Sequence, residues 1–375
     1  MANIFVNGLN SKTGGGKSIL NNYLTLLKKS ESNDKYFILT PNKYEYVKYE
    51  NEFIKIVDIN SFYKKGSLFF ITYRFILPKL IVNLKIDVIF NLADIPIPIK
   101  KVRQVFLFDW PYAVYPESEV WNMMDMKSLV MRKIKLYFFK SYLKYITTMI
   151  AQTETIKNRL ARIYGIEDIK VVPNAVSLDN MDGGEYKDFN LPDGKKLLYL
   201  TYYYPHKNLE IFIPLAKEIK KRNLDFKIII TIEESQHQNV KAFLDLIREQ
   251  ALDETIINLG PIEMKNVPSL YKQCDGLLMP TLLETYGLPY IEAMYNELSI
   301  FTSDIDFALD VCKKSAYYFD KLDSKNIFKT LEDAYNNDKA RDIKIIEGKE
   351  NLKSLLSWDE VLNKYKEIIK DELID

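Results

Sequence analysis

The stretch between residues 280 and 294 combines acidic side chains, a glycine and a predicted helix start. Glu284 and Glu292 are eight residues apart, and Gly287 lies between them. An apolar run before the stretch predicts a strand, and Pro289 indicates the first turn of a helix, where proline is tolerated. We therefore expect Glu284 on a loop and Glu292 on the helix that follows.

This arrangement suits a ligand that carries both hydroxyl and phosphate groups. Carboxylates accept hydrogen bonds from hydroxyls, and the unpaired backbone N–H groups at a helix start favour anions. A sugar nucleotide has both kinds of group. A solvated loop followed by an acidic helix start is the alternative explanation. The candidate ligand-binding residues of this stretch are Glu284, Thr285, Tyr286, Gly287, Leu288 and Glu292.

The sequence around these glutamates closely resembles the E-x7-E signature of the retaining glycosyltransferases of family 4. The resembling elements are Glu284, Gly287-Leu288-Pro289 and Glu292-Ala293-Met294. The resemblance implies the GT-B fold and transfer of a sugar from a nucleotide-sugar to a hydroxyl, with retention at the anomeric carbon. It assigns Glu292 to the ribose hydroxyls of the donor and Glu284 to the hydroxyls of the donor sugar. Motifs between residues 14 and 358 follow the family order, so the resemblance covers nearly the whole chain.

A glycine-rich segment, Gly14-Gly15-Gly16-Lys17-Ser18, follows a short apolar strand near the start of the chain. The ending of this segment is like that of the P-loop of NTPases, which binds phosphate between a strand and a helix. A P-loop needs a glycine five residues before Gly16, where this chain has Ser11. Family 4 glycosyltransferases have a Gly-Gly loop here, which implies that Gly14, Gly15 and Gly16 let donor and acceptor approach the backbone.

Two further residues are candidates for the chemistry. Asp109 follows the predicted strand 105–108, at the strand end where parallel sheets bind ligands, and it either orients an acceptor hydroxyl or caps the next turn. Lys207 lies in a Pro-His-Lys-Asn segment that resembles polysaccharide-building family members, and the resemblance assigns it to the donor phosphates. Family members commonly carry an arginine five residues earlier, where this chain has Tyr202. The candidate catalytic residues are Lys207, Glu284 and Asp109.

The composition is that of an ordinary folded protein, but its charge is unevenly distributed. The chain has 375 residues, 47% of them hydrophobic and 27% charged, and this length suits two domains. Residues 1–180 contain 26 Lys and Arg against 16 Asp and Glu, a net +10, whereas residues 181–375 contain 26 against 35, a net −9. The basic half indicates an anionic partner, although uneven charge also occurs without one. Two cysteines and two histidines give no metal cluster in the sequence.

Two basic, aromatic-rich segments lie in the basic half, at residues 62–84 and 127–145. Basic amphipathic helices either cover the core of a domain or lie on an anionic membrane surface. Core packing explains either segment by itself. The presence of two such segments in one basic domain favours membrane binding as strongly as core packing. The most apolar part, residues 68–82, is too short and too charged to span a bilayer. We expect a cytoplasmic protein that is peripheral at the inner face of the cell membrane.

Apolar runs alternate with helical periodicity, which predicts an α/β protein with parallel sheets. The resemblance implies the GT-B fold, with two facing Rossmann-like domains and an interdomain cleft. Residues 1–180 form the predicted acceptor-side domain, residues 190–355 the nucleotide-sugar-binding domain, and residues 356–375 a helix that returns toward the first domain. Residues 178–196 are the predicted linker.

The predicted function is that of a hexosyltransferase in the synthesis of bacterial cell-surface polysaccharide of the O-antigen type. Its expected partners are a nucleotide-sugar donor, a glycan or lipid-linked glycan acceptor and an anionic membrane surface, with no nucleic acid. No cofactor and no metal ion are expected, because Lys207 and backbone N–H groups would stabilise the departing diphosphate. The alternatives are a sugar-nucleotide epimerase of the same fold, a P-loop-like NTPase and a non-catalytic scaffold.

Overall fold

The computed structural model describes residues 1–12, 14–175, 181 and 185–374, which form two compact units. Unit 1 comprises Met1–Pro116, Asp125–Ala175 and Leu356–Asp375. Unit 2 comprises Glu117–Met124 and Val176–Leu355. Each unit contains one all-parallel sheet, so the prediction of two α/β domains with parallel sheets is confirmed.

The sheet of unit 1 has seven strands in the order β3-β2-β1-β4-β5-β6-β7. The strands are β1 (Asn3–Asn7), β2 (Lys35–Leu39), β3 (Ile54–Val57), β4 (Val88–Asn91), β5 (Arg103–Leu107), β6 (Thr148–Ala151) and β7 (Ile169–Val171). The α-helices of this part of the chain are α1 (Gly14–Lys29), α2 (Lys43–Tyr46), α3 (Phe69–Ile71), α4 (Leu77–Asn83), α5 (Val120–Met123, in unit 2), α6 (Met126–Tyr142) and α7 (Glu154–Tyr164). A π-helical turn, Thr72–Ile76, joins α3 to α4.

Alternate residues of the central strand β1 enter the two opposite cores of unit 1. Ile4 and Val6 belong to the core that contains α1, whereas Phe5 belongs to the core that contains Tyr73 and Leu77. This alternation follows from the two-residue period of a strand, and both faces are apolar because helices cover both sides of the sheet.

The sheet of unit 2 has six strands in the order β10-β9-β8-β11-β12-β13. They are β8 (Lys195–Tyr199), β9 (Phe226–Ile230), β10 (Ile256–Asn258), β11 (Gly276–Met279), β12 (Ser299–Ser303) and β13 (Ala316–Phe319). The remaining helices are α8 (Phe212–Lys221), α9 (Gln238–Glu249), α10 (Val267–Tyr271), α11 (Leu288–Tyr295), α12 (Asp306–Cys312), α13 (Ser324–Tyr335), α14 (Asp338–Leu352) and α15 (Trp358–Ile374, in unit 1).

The strand order of each sheet reverses at one place, between β1 and β4 in unit 1 and between β8 and β11 in unit 2. In open α/β sheets, ligands bind at the carboxyl ends of the strands that flank such a switch point. In unit 2 these ends are Tyr199 and Met279. The loops that carry Lys207 and Glu284 follow those two strands.

The predicted boundaries differ from the observed units at residues 117–124 and at residues 176–180, and the latter lie outside the described residues. Residues 117–124 fall inside the predicted first domain 1–180 but cluster with unit 2. The reason is visible in their contacts, since Val120 is buried and Glu119 Oε1 lies 3.3 Å from Nζ of Lys321. Part of the predicted linker, residues 178–180 and 182–184, lies outside the described residues. Over the described part of the chain, no helix is both long enough and apolar enough to cross a membrane.

Candidate donor site and acceptor-side residues

Two loops of unit 2 that follow the switch-point strands are hydrogen-bonded to each other. The backbone N–H of Leu282 donates to the carbonyl oxygen of His206 at 2.7 Å, and Thr281 Oγ1 donates to the same oxygen at 3.0 Å. Asn208 Nδ2 donates to the carbonyl oxygen of Pro280 at 3.1 Å, from a left-handed backbone with φ 55° that asparagine tolerates. These bonds fix the turn of one loop against the other.

Lys207 and Glu284 form an ion pair across these two loops. Lys207 Nζ contacts Glu284 Oε1 directly, and each side chain is 15% exposed. The hydroxyl of Tyr199 donates to the carbonyl oxygen of Lys207 at 3.2 Å, which anchors the turn that carries the lysine. The resemblance assigns the two charges to different groups of a donor, and the structure brings them into contact with each other.

Gly287 closes the loop in a conformation that only glycine adopts easily. Its φ is 81°, and a Cβ at this position would come within 2.6 Å of Tyr290 Cε2. Tyr290 is fully buried, and its hydroxyl is hydrogen-bonded to Thr302 Oγ1 at 2.7 Å. The helix that follows, α11, has no side-chain hydrogen bond at its N-cap. Its first turn is therefore suited to an anionic ligand.

Glu292 lies in the second turn of α11, in a partly buried position. The hydroxyl of Tyr271 donates to Glu292 Oε2 at 2.7 Å. Burial raises the pKa of the Glu292 carboxyl above its ordinary value, and the hydrogen bond from Tyr271 opposes that rise. The site therefore contains a carboxylate whose ionised form is poorly solvated and accepts one oriented hydrogen bond.

The other predicted residues of this loop present main chain rather than side chains. Thr285 and Tyr286 are both buried, and burial raises the pKa of Tyr286 to about 12. Leu288 is the first residue of α11. Any contribution of these three residues to ligand binding thus comes chiefly from the backbone of the loop.

In unit 1, Gly14, Gly15 and Gly16 are the first three residues of α1, not a loop before it. The prediction of a glycine loop was wrong at this point. The first turn of a helix leaves its N–H groups unpaired and tolerates glycine, so a run of glycines can begin a helix. Gly14 has a φ of 58°, and Thr13 lies outside the described residues. Lys17, which resembles the P-loop lysine, pairs with Glu45 Oε1 at 2.6 Å.

Asp109 belongs to a chain of polar side chains across three neighbouring strand ends of unit 1. Gln152 Nε2 donates to Asp109 Oδ1 at 3.1 Å, and Asn174 Nδ2 donates to Gln152 Oε1 at 2.9 Å. These residues follow β5, β6 and β7, which are adjacent in the sheet. Gln152 and Asn174 are buried and were missed by sequence reasoning. Their position after apolar strands was the available signal.

Asp304 and Asp306 have Asp-x-Asp spacing, which can indicate a metal site. Asp306 begins α12, and its Oδ1 accepts from the N–H of Phe307 at 2.9 Å, an ordinary helix-start arrangement. No group of three or more His, Cys, Asp or Glu side chains that could hold a metal ion occurs within the part of the chain that the structure describes.

A family model and a curated relative match the chain. Residues 185–351, which lie in unit 2, match the model described as "Glycosyl transferases group 1". The O-antigen chain mannosyltransferase RfbU of Salmonella typhimurium is 25% identical over 198 residues. That match covers 51% of this chain and 53% of the relative, so the chain spans about half the length of the curated relative.

Solved glycosyltransferase structures match both units of the chain. A glycosyltransferase from Rickettsia africae superposes with a TM-score of 0.74 at 16% identity and covers 99% of this chain and 98% of its own. Anabaena HepE in complex with UDP-glucose gives a TM-score of 0.72 at 11% identity, covering 99% and 100%. These likenesses confirm the fold predicted from the sequence, whereas membership of family 4 stays a prediction. The chain has the GT-B fold, and its residues 185–351 match the family model of the group 1 glycosyl transferases.

Proposed function

We propose that the chain transfers a hexose from a nucleotide-sugar donor to a hydroxyl of a glycan acceptor during synthesis of a cell-surface polysaccharide of the lipopolysaccharide or O-antigen type. The group 1 domain and the similarity to an O-antigen chain mannosyltransferase support this activity. The observation that carries the proposal is the contact between Lys207 and Glu284 at the carboxyl ends of the switch-point strands. An ammonium group and a carboxylate are there available to a phosphate and to sugar hydroxyls.

The donor would use charged and backbone groups of unit 2. The ammonium group of Lys207 and the uncapped first turn of α11 would neutralise the diphosphate without a metal ion. The Glu292 carboxylate would accept from the ribose hydroxyls, and the Glu284 carboxylate from the hydroxyls of the transferred sugar. This division follows the roles that the resemblance implies, with Glu284 on the loop after β11 and Glu292 in the second turn of α11.

The proposed reaction retains the configuration of the anomeric carbon. The bond between that carbon and the diphosphate oxygen breaks while a bond from the acceptor oxygen forms on the same face. The acceptor proton passes to an oxygen of the departing diphosphate, and Lys207 stabilises the negative charge that develops there. Proton NMR of the product measures the configuration of the new glycosidic bond. An inverted product would contradict the retaining mechanism.

Asp109 is the proposed orienting group for the acceptor hydroxyl. The hydrogen bond from Gln152 holds the carboxylate in one position, and Asn174 in turn holds Gln152. We expect Asp109→Asn to lower the transfer rate while it leaves the affinity for nucleoside diphosphate unchanged. Equal transfer rates in Asp109→Asn and wild type would remove Asp109 from the mechanism.

Ligand-dependent thermal stability is the first test of the proposed function. A ligand that binds only the folded state raises the unfolding midpoint, so UDP, GDP and their sugars can be compared directly. We expect one nucleotide series to stabilise the chain and the matching sugar nucleotide to be consumed only in the presence of acceptor. Consumption without acceptor would indicate an epimerase or a hydrolase, and stabilisation by none of these ligands would contradict the proposal.

Lys207→Ala tests the assignment of the leaving-group charge. Removal of one preorganised group that stabilises developing charge lowers turnover by about a hundredfold or more, and Tyr202 offers no replacement cation. Lys349→Ala is the matched control, because Lys349 pairs with Glu297 at 2.7 Å on the exposed surface of the same unit. Near-normal turnover in Lys207→Ala would assign the charge to another residue.

We also propose that unit 1 binds an anionic membrane surface, which suits a lipid-linked acceptor. The stripe formed by Met126, Val130, Ile134 and Tyr137 lies on one face of α6 and is exposed to solvent, with Met126 at 74% and Tyr137 at 67%. The opposite face of α6 is buried through Phe139 and Tyr142. The helix carries five basic and no acidic residues. An apolar stripe on a basic helix is typical of interfacial binding.

A second exposed apolar region lies in the segment 62–84, which contacts α6 through Phe69. Phe69 contacts Phe138 of α6 with their ring centroids 5.6 Å apart, whereas Phe75 and Val82 are exposed. Flotation with vesicles that contain phosphatidylglycerol tests the proposal. We expect binding at low salt that weakens as salt screens the charges. Absence of binding at low salt would contradict it.

A further inference from the structure

We propose that the Lys207–Glu284 ion pair makes the donor site select the intact sugar nucleotide over the free nucleoside diphosphate. This inference rests on the proposed function. The roles taken from sequence alone give Glu284 no influence on the diphosphate, which has no sugar. The contact between the two side chains changes that expectation.

The ion pair satisfies both charges before any ligand is bound. Each side chain is only 15% exposed, so little water is available to solvate either charge if the pair opens. Burial of an uncompensated charge is strongly unfavourable, and the carboxylate therefore holds the ammonium group firmly. A diphosphate that contacts Lys207 has to draw it away from Glu284.

The sugar of an intact donor resolves this competition. Its hydroxyls donate hydrogen bonds to the Glu284 carboxylate, which replaces the lost contact with the ammonium group. Free nucleoside diphosphate has no such hydroxyls and leaves a partly buried carboxylate close to its own negative charge. The product is thus released more readily than the donor, and product inhibition is reduced.

Glu284→Gln measures the effect, because it removes the charge and keeps the size and hydrogen-bonding capacity of the side chain. We expect the variant to bind the nucleoside diphosphate, UDP or GDP, more tightly than wild type, on the order of tenfold. The preference of wild type for the sugar nucleotide over the diphosphate should shrink by a similar factor. Isothermal titration calorimetry with each ligand gives both constants.

The matched control is Glu350→Gln, which removes a carboxylate of α14 in the same unit whose Oε1 lies 2.6 Å from Nζ of Lys353. It should leave all affinities unchanged. If Glu284→Gln does not fold, Glu284→Asp replaces it in the test. This change shortens the side chain and weakens the contact with Lys207, so the affinity for the nucleoside diphosphate should rise by part of the same factor. The thermal unfolding midpoint of each variant checks the fold.

The Lys207→Met background separates competition for the ammonium group from simple repulsion of phosphate. Because this background has no ammonium group to release, Glu284→Gln should increase the affinity for the nucleoside diphosphate by a smaller factor there than in wild type. An equal gain in both backgrounds, or unchanged diphosphate affinity in Glu284→Gln, would overturn the inference. Failure of wild type to bind any UDP or GDP ligand would instead overturn the proposed function.

Discussion

At the scale of single residues, Glu292 combines a proposed binding role with a cost in stability. Burial raises its pKa in the folded state above the unfolded value, so the folded state binds the proton more tightly. Glu292 therefore lowers stability when the pH is above its folded-state pKa. That cost shrinks as the pH falls and disappears below the unfolded-state value of about 4.3.

We expect Glu292→Gln to raise the unfolding midpoint at neutral pH, with the gain over wild type decreasing toward acid pH. The same variant should bind nucleoside diphosphate more weakly by about 2–3 kcal/mol, the value of a hydrogen bond to a charged group. Differential scanning fluorimetry over a pH series and calorimetry measure the two effects. Tyr271→Phe should act oppositely on stability at neutral pH, because loss of its hydrogen bond raises the Glu292 pKa further. A pH-independent difference between Glu292→Gln and wild type would be inconsistent with a raised pKa.

Gly287 gives a second prediction at this scale. Gly287→Ala places a Cβ in the left-handed region and 2.6 Å from the buried ring of Tyr290, which has little freedom to move. We expect a loss of about 1–3 kcal/mol in the free energy of unfolding, measured by urea denaturation. Gly66→Ala is the control, because nothing lies within 4 Å of the added carbon and no left-handed strain is introduced. Equal stability of the two variants would argue against a strained loop.

The individual site residues were partly predictable. The resemblance singled out Lys207, Glu284 and Glu292, because their types and spacing form a recognisable pattern. Their pairing was not predictable, since Lys207 and Glu284 are 77 positions apart and meet only through the strand order of the sheet. The position of Gln152 and Asn174 after apolar strands was only a weak signal, because a single amide after a strand has many structural explanations.

At the scale of elements, apolar runs located the buried strands well. The apolar run before residue 280 is the buried strand β11, and the predicted strand 105–108 overlaps β5. The strand β7 was missed because it has only three residues and one of them, Lys170, is exposed. The start of α1 was placed too late, because three glycines predict a loop unless the tolerance of the first helical turn is considered.

Helix α6 carries the element-scale prediction. The double variant Ile134→Glu, Tyr137→Glu puts two negative charges on its exposed apolar stripe. Each charge near the membrane surface is worth roughly 1 kcal/mol, so we expect binding to anionic vesicles to fall by tenfold or more. Stability should change little, because both side chains are exposed. Ile343→Glu with Ile346→Glu on α14 is the control, since these residues are also exposed but lie in the acidic half. Equal loss of vesicle binding in both pairs would indicate a general effect of charge.

At the scale of the whole molecule, the fold class followed from the alternation of strands and helices together with the resemblance. The two parallel sheets confirm it. The observed assignment of Glu117–Met124 to unit 2 could not be predicted, because it depends on contacts such as that between Glu119 and Lys321. Sequence patterns describe local structure, whereas such contacts join parts of the chain that are far apart.

The last helix, α15, is part of the core of unit 1 and gives the prediction at this scale. Tyr365 is fully buried, with its ring centroid 5.1 Å from that of Phe90 on β4. Tyr365→Ala should lower the free energy of unfolding by about 3–5 kcal/mol, as large-to-small changes of buried aromatic residues do. Tyr44→Ala, at a site that is 90% exposed, is the control in the same unit. Similar urea midpoints for Tyr365→Ala and Tyr44→Ala would show that α15 does not support the core.

The division of unit 1 into three segments has a consequence during synthesis on the ribosome. The chain leaves unit 1 after Pro116, re-enters it at Asp125, leaves again after Ala175 and returns only at Leu356. The sheet of unit 2 is therefore translated in full before α15, the helix that packs on Phe90, exists. Until then, the part of this sheet face on which α15 packs, beside α1, is open to chaperones and to other nascent chains. A product truncated before Leu356 would keep that face exposed and would be prone to aggregate or to be degraded.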